Sequence, residues 1–260
     1  MKRIIFICIL IYGFSIIAIA QPKLDSAYLN TAFNVGEKLH YEVKYGLIKG
    51  GEAQMTIDLF PNGDSYVYHV RAMAVTTGVA SKFARIYDIY ESYIDIKTGY
   101  PIKASRNIRE NNYTLYNEVL FFRDQNYVVS VNSGKKNVPP NTLDLLSAFY
   151  FARRHLFDQK LQKNQTIALT TYFEDKIFPV KIKYLKTEKI RTKYGKIKCM
   201  KFVPVLEQGN PFKKEDDLQV WFSDDGNYIP IKLKMSLPVG SVHAELIGYE
   251  NLKNPLGGNP

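Results

Sequence analysis

Cysteine is scarce in this chain: Cys8 and Cys199 are the only two in 260 residues. Cys8 sits inside an apolar N-terminal run, not after a Leu-x-x pattern, so a lipid-anchored mature terminus is not expected. Without that run a single thiol is left, which makes no intrachain disulfide and no thiolate metal cluster. Cys199 lies in the strand-like Lys196-Ile-Lys-Cys-Met-Lys-Phe202, where a buried, inert thiol is expected. Histidine is scarce too. His40, His69, His155 and His243 show no His-Glu-x-x-His or similar spacing, so no metal site is assigned. There is no Gly-x-Ser-x-Gly elbow, and no helix pattern follows Gly46, Gly50 and Gly51 to make a dinucleotide loop. The carboxylate pairs Asp216-Asp217 and Asp224-Asp225 read as turns. No catalytic residue and no cofactor are therefore assigned, and an enzyme is not expected. Long apolar runs are missing after the first twenty residues, so no transmembrane helix is expected in the mature chain.

What is present begins with an address. Lys2 and Arg3 precede the almost wholly apolar stretch Ile4 to Ile17, and Ala18-Ile19-Ala20 gives a small-x-small cleavage site. This is the layout of a secretory signal, residues 1–20, with Gln21 as the mature first residue. The expected destination is the periplasm or cell envelope. The formal charge of +10 falls to +8 when Lys2 and Arg3 leave. A basic balance suits nucleic acid, anionic lipid or acidic glycan, and export argues against nucleic acid. The lysines are scattered and alternate with apolar residues, as on the solvated face of a sheet.

Period-two alternation dominates the rest. Leu39, Tyr41, Val43 and Tyr45 share one phase, with His40, Glu42 and Lys44 on the other. Met55, Ile57 and Leu59, then Tyr66, Tyr68, Val70 and Ala72, repeat the pattern around the turn Pro61-Asn-Gly-Asp64. So do Phe178 to Tyr184, Ile231 to Leu237, and Val242 to Leu246. One apolar and one wet face per strand predicts antiparallel sheet covered on one side. The exception follows Pro139-Pro140. Leu145, Leu146, Phe149 and Tyr150 fall at helical spacing, with Asn141 or Thr142 as cap and Arg153, Arg154 and His155 at the negative end. One main helix is predicted over 142–156, with a shorter one at Val79 to Ile86. Its apolar stripe needs cover, which the inside of a bent sheet provides.

The fold class expected is mainly β: a strongly curved antiparallel sheet, an open or half barrel, wrapped around that helix. The expected organisation is a polar lead-in at 21–34, a single β-rich domain at 35–250 and a flexible tail at 251–260. Asp95-Ile-Lys-Thr-Gly-Tyr-Pro-Ile-Lys103 echoes Asp224-Asp-Gly-Asn-Tyr-Ile-Pro-Ile-Lys232, and Lys44-Tyr-Gly-Leu-Ile-Lys49 echoes Lys193-Tyr-Gly-Lys-Ile-Lys198. The echoes fit two similar halves flanking the helix, and equally well the reuse of common turn chemistry. Their unequal offsets exclude a clean tandem repeat.

Several phrases then combine. Phe33-Asn-Val-Gly-Glu-Lys-Leu-His-Tyr41, Gly50-Gly-Glu-Ala53, Asp144-Leu-Leu-Ser-Ala-Phe-Tyr-Phe-Ala-Arg153 and Val220-Trp-Phe-Ser-Asp224 stand in an order that resembles the bacterial exported family called domain of unknown function 3108. The resemblance covers nearly the whole mature chain and brings no activity and no catalytic residue. It implies a curved sheet around a helix, an outline similar to periplasmic lipoprotein carriers. On this reading the expected function is non-catalytic binding of a lipid, acyl or other apolar ligand, with Tyr41, Tyr45, Phe149, Tyr150 and Trp221 as candidate lining. Trp221 lies on the opposite phase from Leu218, Val220 and Phe222, and either packs under a loop or the lead-in or lines a groove. The alternative is an envelope assembly factor that meets glycans, anionic surfaces or protein partners through Lys44, Lys181, Lys183, Lys232 and Lys234.

Overall fold

The computed structural model describes residues 31–157, 160–205, 214 and 217–258. The signal-like segment 1–20 and most of the lead-in lie outside the described residues. The described residues form one antiparallel sheet of fourteen strands, built as two meanders. The first contains β1 (Glu37–Tyr45), β2 (Ile48–Asn62), β3 (Ser65–Thr76), β4 (Tyr87–Asp95), β5 (Pro101–Glu110), β6 (Tyr113–Phe122), β7 (Tyr127–Ser130) and β8 (Gly134–Asn137). The helix α1 (Leu145–His155) follows. The second meander contains β9 (Thr166–Phe173), β10 (Lys176–Thr192), β11 (Gly195–Pro204), β12 (Leu218–Ser223), β13 (Pro230–Ser236) and β14 (Ser241–Glu250). The last strand returns to pair with the first, Tyr41 opposite Leu246, so the two meanders join at the middle of the sheet and α1 connects its outer edges.

The sheet is open and strongly curved around α1, as its sequence pattern predicts. The helix touches β3 and β4 on one side and β9 on the other, although these strands are far apart in the sheet. Side chains hold the seam where the sheet's edges approach. Leu143 forms a parallel bridge to Thr171. The β9–β10 turn, with Glu174 and Asp175 both at positive φ, reaches the first meander. There Asp175 Oδ1 accepts from Asn117 Nδ2 at 3.0 Å, Ser130 Oγ at 2.6 Å and Ser133 Oγ at 3.0 Å. Burial opposes the Asp175 charge, but these donors outweigh it and hold the carboxyl below its ordinary value.

The helix begins three residues later than its sequence pattern suggests. Asn141 and Thr142 are not the cap, because Leu143 is still extended in its bridge to β9 and the Thr142 hydroxyl donates to the Pro139 carbonyl. Asp144 caps instead. Its Oδ1 accepts from the amides of Leu146 and Ser147, while Ser147 Oγ accepts from the Asp144 amide. Asp144 Oδ2 also accepts from Ser92 Oγ at 2.6 Å, which ties the helix start to β4. The expected short helix near Val79 is a 3-10 turn, Gly78–Lys82.

Both ends of the described chain pack against the sheet. Ala32 and Phe33, at the end of the lead-in, are buried, and the Phe33 ring meets Tyr68 and Tyr150 edge-on. Residues 251–258, expected as a tail, make specific contacts. Asn251 Nδ2 donates to the Val35 carbonyl, Asn254 and Asn227 exchange two hydrogen bonds, and the Gly257 amide donates to Asp225. The echoed motifs all fall at hairpin turns, β1–β2 with β10–β11 and β4–β5 with β12–β13.

Candidate functional site

Strand alternation places Glu37, Leu39 and Tyr41 of β1 on the same sheet face as Ile57, Met55 and Ala53 of β2 and Val70, Ala72 and Ala74 of β3. Toward one end this face is filled. Ile57, Val70, Tyr68, Tyr150, Ala152, Phe157, Phe202 and Phe222 form one buried cluster, with Phe149 and Leu146 packed against it. Arg153 crosses the middle of this packing, 1% exposed, and Glu37 facing it is 0% exposed. The pair is bidentate, Nη1 to Oε1 at 2.6 Å and Nη2 to Oε2 at 2.8 Å. Arg153 also donates to the carbonyls of Asn227 and Ala32, so one side chain fastens the helix to β1, the lead-in and the β12–β13 turn. Burial works against its charge, and Glu37 outweighs that, so the guanidinium stays protonated.

Toward the other end the same face is hollow. Inward positions there carry Ala53, Ala72, Ala74 and Ala244, and the space they leave is an open-mouthed cavity of about 240 Å³. Tyr41, Gln54, Met55, Met73, Tyr90, Pro230 and Leu233 complete the wall, and the surface it presents to the cavity is apolar. The Tyr41 and Tyr150 hydroxyls, both buried, have no hydrogen-bond partner among the described residues. Burial pushes both well above the ordinary tyrosine value, so they are neutral at any physiological pH. A smaller cavity of about 50 Å³, also bordered by Tyr90, lies between the start of α1 and the Glu174–Asp175 turn.

The five lining candidates fall in three places. Tyr41 is in the wall of the apolar cavity. Phe149 and Tyr150 belong to the filled end, with their rings 5.2 Å apart. Tyr45 is 46% exposed and donates to the Val239 carbonyl, away from the cavity. Trp221 is 7% exposed in a second cluster that also holds Tyr41, with Leu39, Ile197, Cys199, Ile231 and Leu246, while its neighbours Val220 and Phe222 face the first cluster. Its Nε1 donates to Glu188 Oε1 at 2.8 Å, which satisfies the one polar group of the ring. The Cys199 thiol in that cluster is buried and pushed up to about 12 by burial, so it is inert. The alanines of the cavity wall escape a reading that looks for aromatic rings. Their signal is small size at inward positions, visible in Ala72 and Ala74 after Tyr66, Tyr68 and Val70 on β3, and in Ala244 between Val242 and Leu246 on β14.

Among the described residues no three of His, Cys, Asp and Glu gather as a metal set. The Asp224-Asp225 pair is part of a turn, where Asp225 accepts from Ser223 Oγ and the Asn227 and Gly257 amides.

The model of the family described as "Protein of unknown function (DUF3108)" matches residues 40–247. The chain belongs to this family. No curated protein matches it. Among solved structures, the DUF3108 chain is similar to a β-barrel-like protein of domain of unknown function DUF1849 from Brucella abortus, at 10% identity and a TM-score of 0.53, covering 85% of this chain and 99% of that one. It is also aligned with a DUF1089 family protein from Pseudomonas aeruginosa, at 10% identity and a TM-score of 0.32, over 74% of this chain and 87% of that one. The first likeness bears on fold alone. No helix among the described residues is long and apolar enough to cross a membrane.

Proposed function

We propose that this DUF3108 protein is an exported, non-catalytic binding module of the cell envelope, which takes a lipid acyl chain or similar apolar group in the alanine-lined cavity. One observation carries the reading: a wholly apolar, open-mouthed space of about 240 Å³ on a sheet face that is otherwise densely packed. Native interiors contain few voids larger than a water molecule, so a hollow of this size is a departure that calls for an occupant. Apolar cavities stay dry and accept apolar guests; an engineered one of about 150 Å³ binds benzene. The volume is below the ~300–1,000 Å³ of sites that enclose a whole small molecule. It suits the end of a chain with the remainder outside the mouth. Export rests on the first twenty residues.

The test is native mass spectrometry with organic extraction, on mature protein recovered from the host envelope without detergent. A stoichiometric apolar adduct, lost in Ala72→Leu and Ala244→Leu variants that keep the fold, supports the reading. A clean apo mass, together with no saturable uptake of a fluorescent fatty acid, overturns it. The basic strand faces supply a second reading, contact with anionic envelope material.

A further inference from the structure

The tip of the β10–β11 hairpin makes a second enclosed place. Only Cys199 to Phe202 of β11 pair with β12, so the hairpin from Ile190 to Ile197 projects beyond that pairing. It folds over β13 and β14. Ile190 and Ile197 join Ile231 and Leu246 in one cluster, and the Tyr194 ring lies 5.1 Å from Tyr249. Under the end of β10 is a cleft of about 260 Å³ whose walls are part polar and part apolar. Glu42, Glu245 and Lys232 face it from β1, β14 and β13, where they are cross-strand neighbours. They alternate with Val43, Ala244 and Leu233 along those strands, and the cleft shares no lining residue with the alanine-lined cavity.

The charges in this cleft do not balance. Glu42 and Glu245 stand directly opposite each other, an unfavourable pairing that Lys44 and Lys232 offset at 2.6 and 2.7 Å. Arg191 and Lys193 are then in excess, and neither has a carboxylate partner among the described residues. Below them the wall is apolar: Ile190, Ile231, Leu246 and Ile247. We propose that this cleft is a separate binding site for a compact oxyanion, a phosphate or carboxylate group, attached to an apolar substituent. Arg191 offers the planar fork that suits such groups, Lys193 a point charge, and the isoleucines a surface for the attached carbons. The volume admits a headgroup and not a macromolecule.

His243 reports the same field. It stands between Lys44 on β1 and Lys234 on β13, and shares a hydrogen bond of 2.7 Å with Ser241 Oγ. Burial and the cations Lys232, Lys234 and Lys44 hold it below the ordinary histidine value, against the opposing pull of Glu245. An anion seated in the cleft stabilises the protonated ring and moves its titration upward.

The experiment follows the His243 ring by NMR while inorganic phosphate, a short-chain phosphatidylglycerol below micelle formation, or phosphatidylglycerol vesicles are added. A saturable upward shift of the His243 midpoint is expected. Arg191→Gln combined with Lys193→Gln should weaken it by about tenfold or more, the size of lost charge-assisted hydrogen bonds. Arg191→Lys should weaken it also, because it keeps the charge and loses the fork. Ala72→Leu should leave it unchanged, which separates this site from the apolar cavity. Saturation by phosphate alone identifies a free oxyanion as sufficient. Saturation only by the soluble phospholipid identifies a lipid headgroup. No saturable shift, a shift that survives the double substitution, or a response to vesicles alone overturns the proposal.

Discussion

The strands β1, β2 and β3 pass through both ends of the helix-bearing face, and the two ends are built differently. At one end Glu37, Ile57 and Val70 are sealed under Phe33, Tyr150 and Arg153. At the other, a few residues along the same strands, Ala53, Ala72 and Ala74 border open space. The helix explains much of the contrast. It is only eleven residues long, its start is fixed by the Asp144 cap to β4, and its end is held by the Arg153 bonds. A helix of that length spans about 17 Å, and it packs on the filled end. The sheet therefore has two interior environments, one that tolerates no change of volume and one with room to spare. Natural cores normally remove such room.

The comparison breaks most sharply at the buried pair. Glu37→Gln or Arg153→Met alone is expected to cost about 3–5 kcal/mol in urea unfolding, because each leaves a buried charge without its partner. Arg153→Met combined with Glu37→Leu should recover a large part of that loss. Similar costs for the single and double variants would mean that the bonds to Ala32 and Asn227 dominate.

Volume substitutions sharpen it next. Ala152→Leu, in the filled end, should lose about 1–3 kcal/mol through overpacking. Ala72→Leu, in the hollow end, should lose under ~1 kcal/mol or gain stability by filling space. Equal losses at the two positions would show that the cavity is absent in solution.

The seam gives a smaller, pH-dependent effect. Asp175 has a folded value below its ordinary one, so its contribution is present above the unfolded value near pH 4 and disappears as pH falls through the folded value. Asp175→Asn should lower stability at pH 7 by about 1–2 kcal/mol and flatten the dependence below pH 4, measured by unfolding at several pH values. An unchanged acid limb would assign it to other carboxylates. The smallest effect is expected at Tyr41. Its hydroxyl has no partner, so Tyr41→Phe should change stability by less than about 1 kcal/mol. A loss above that would place an internal water on the hydroxyl.

Much of the architecture was legible in the chain because strand alternation is a local property. The alternation of Tyr66, Tyr68, Val70 and Ala72 marks β3, and Leu145, Leu146, Phe149 and Tyr150 mark α1, before any contact is known. The helix start was misplaced because the bridge of Leu143 to Thr171 is a long-range contact that keeps the chain extended past Thr142. The candidate site was legible only in part. Tyr41 has the right phase and lies in the wall, while Tyr45, on the same phase four residues on, is carried out to the sheet's exposed end. Trp221 advertised its opposite phase, but the cluster that receives it includes Leu252 and Leu256 from a segment that looks featureless in sequence.

The sequence by itself determined the strand-rich class and the main helix, since each depends on residue order within a short window. The tertiary structure alone decided which inward residues meet packing and which meet space. It also joined Glu37 to Arg153 across more than a hundred residues and folded one hairpin over β13 and β14 to make a charged cleft. These depend on how far a sheet bends and where a short helix stops, and no local pattern encodes either.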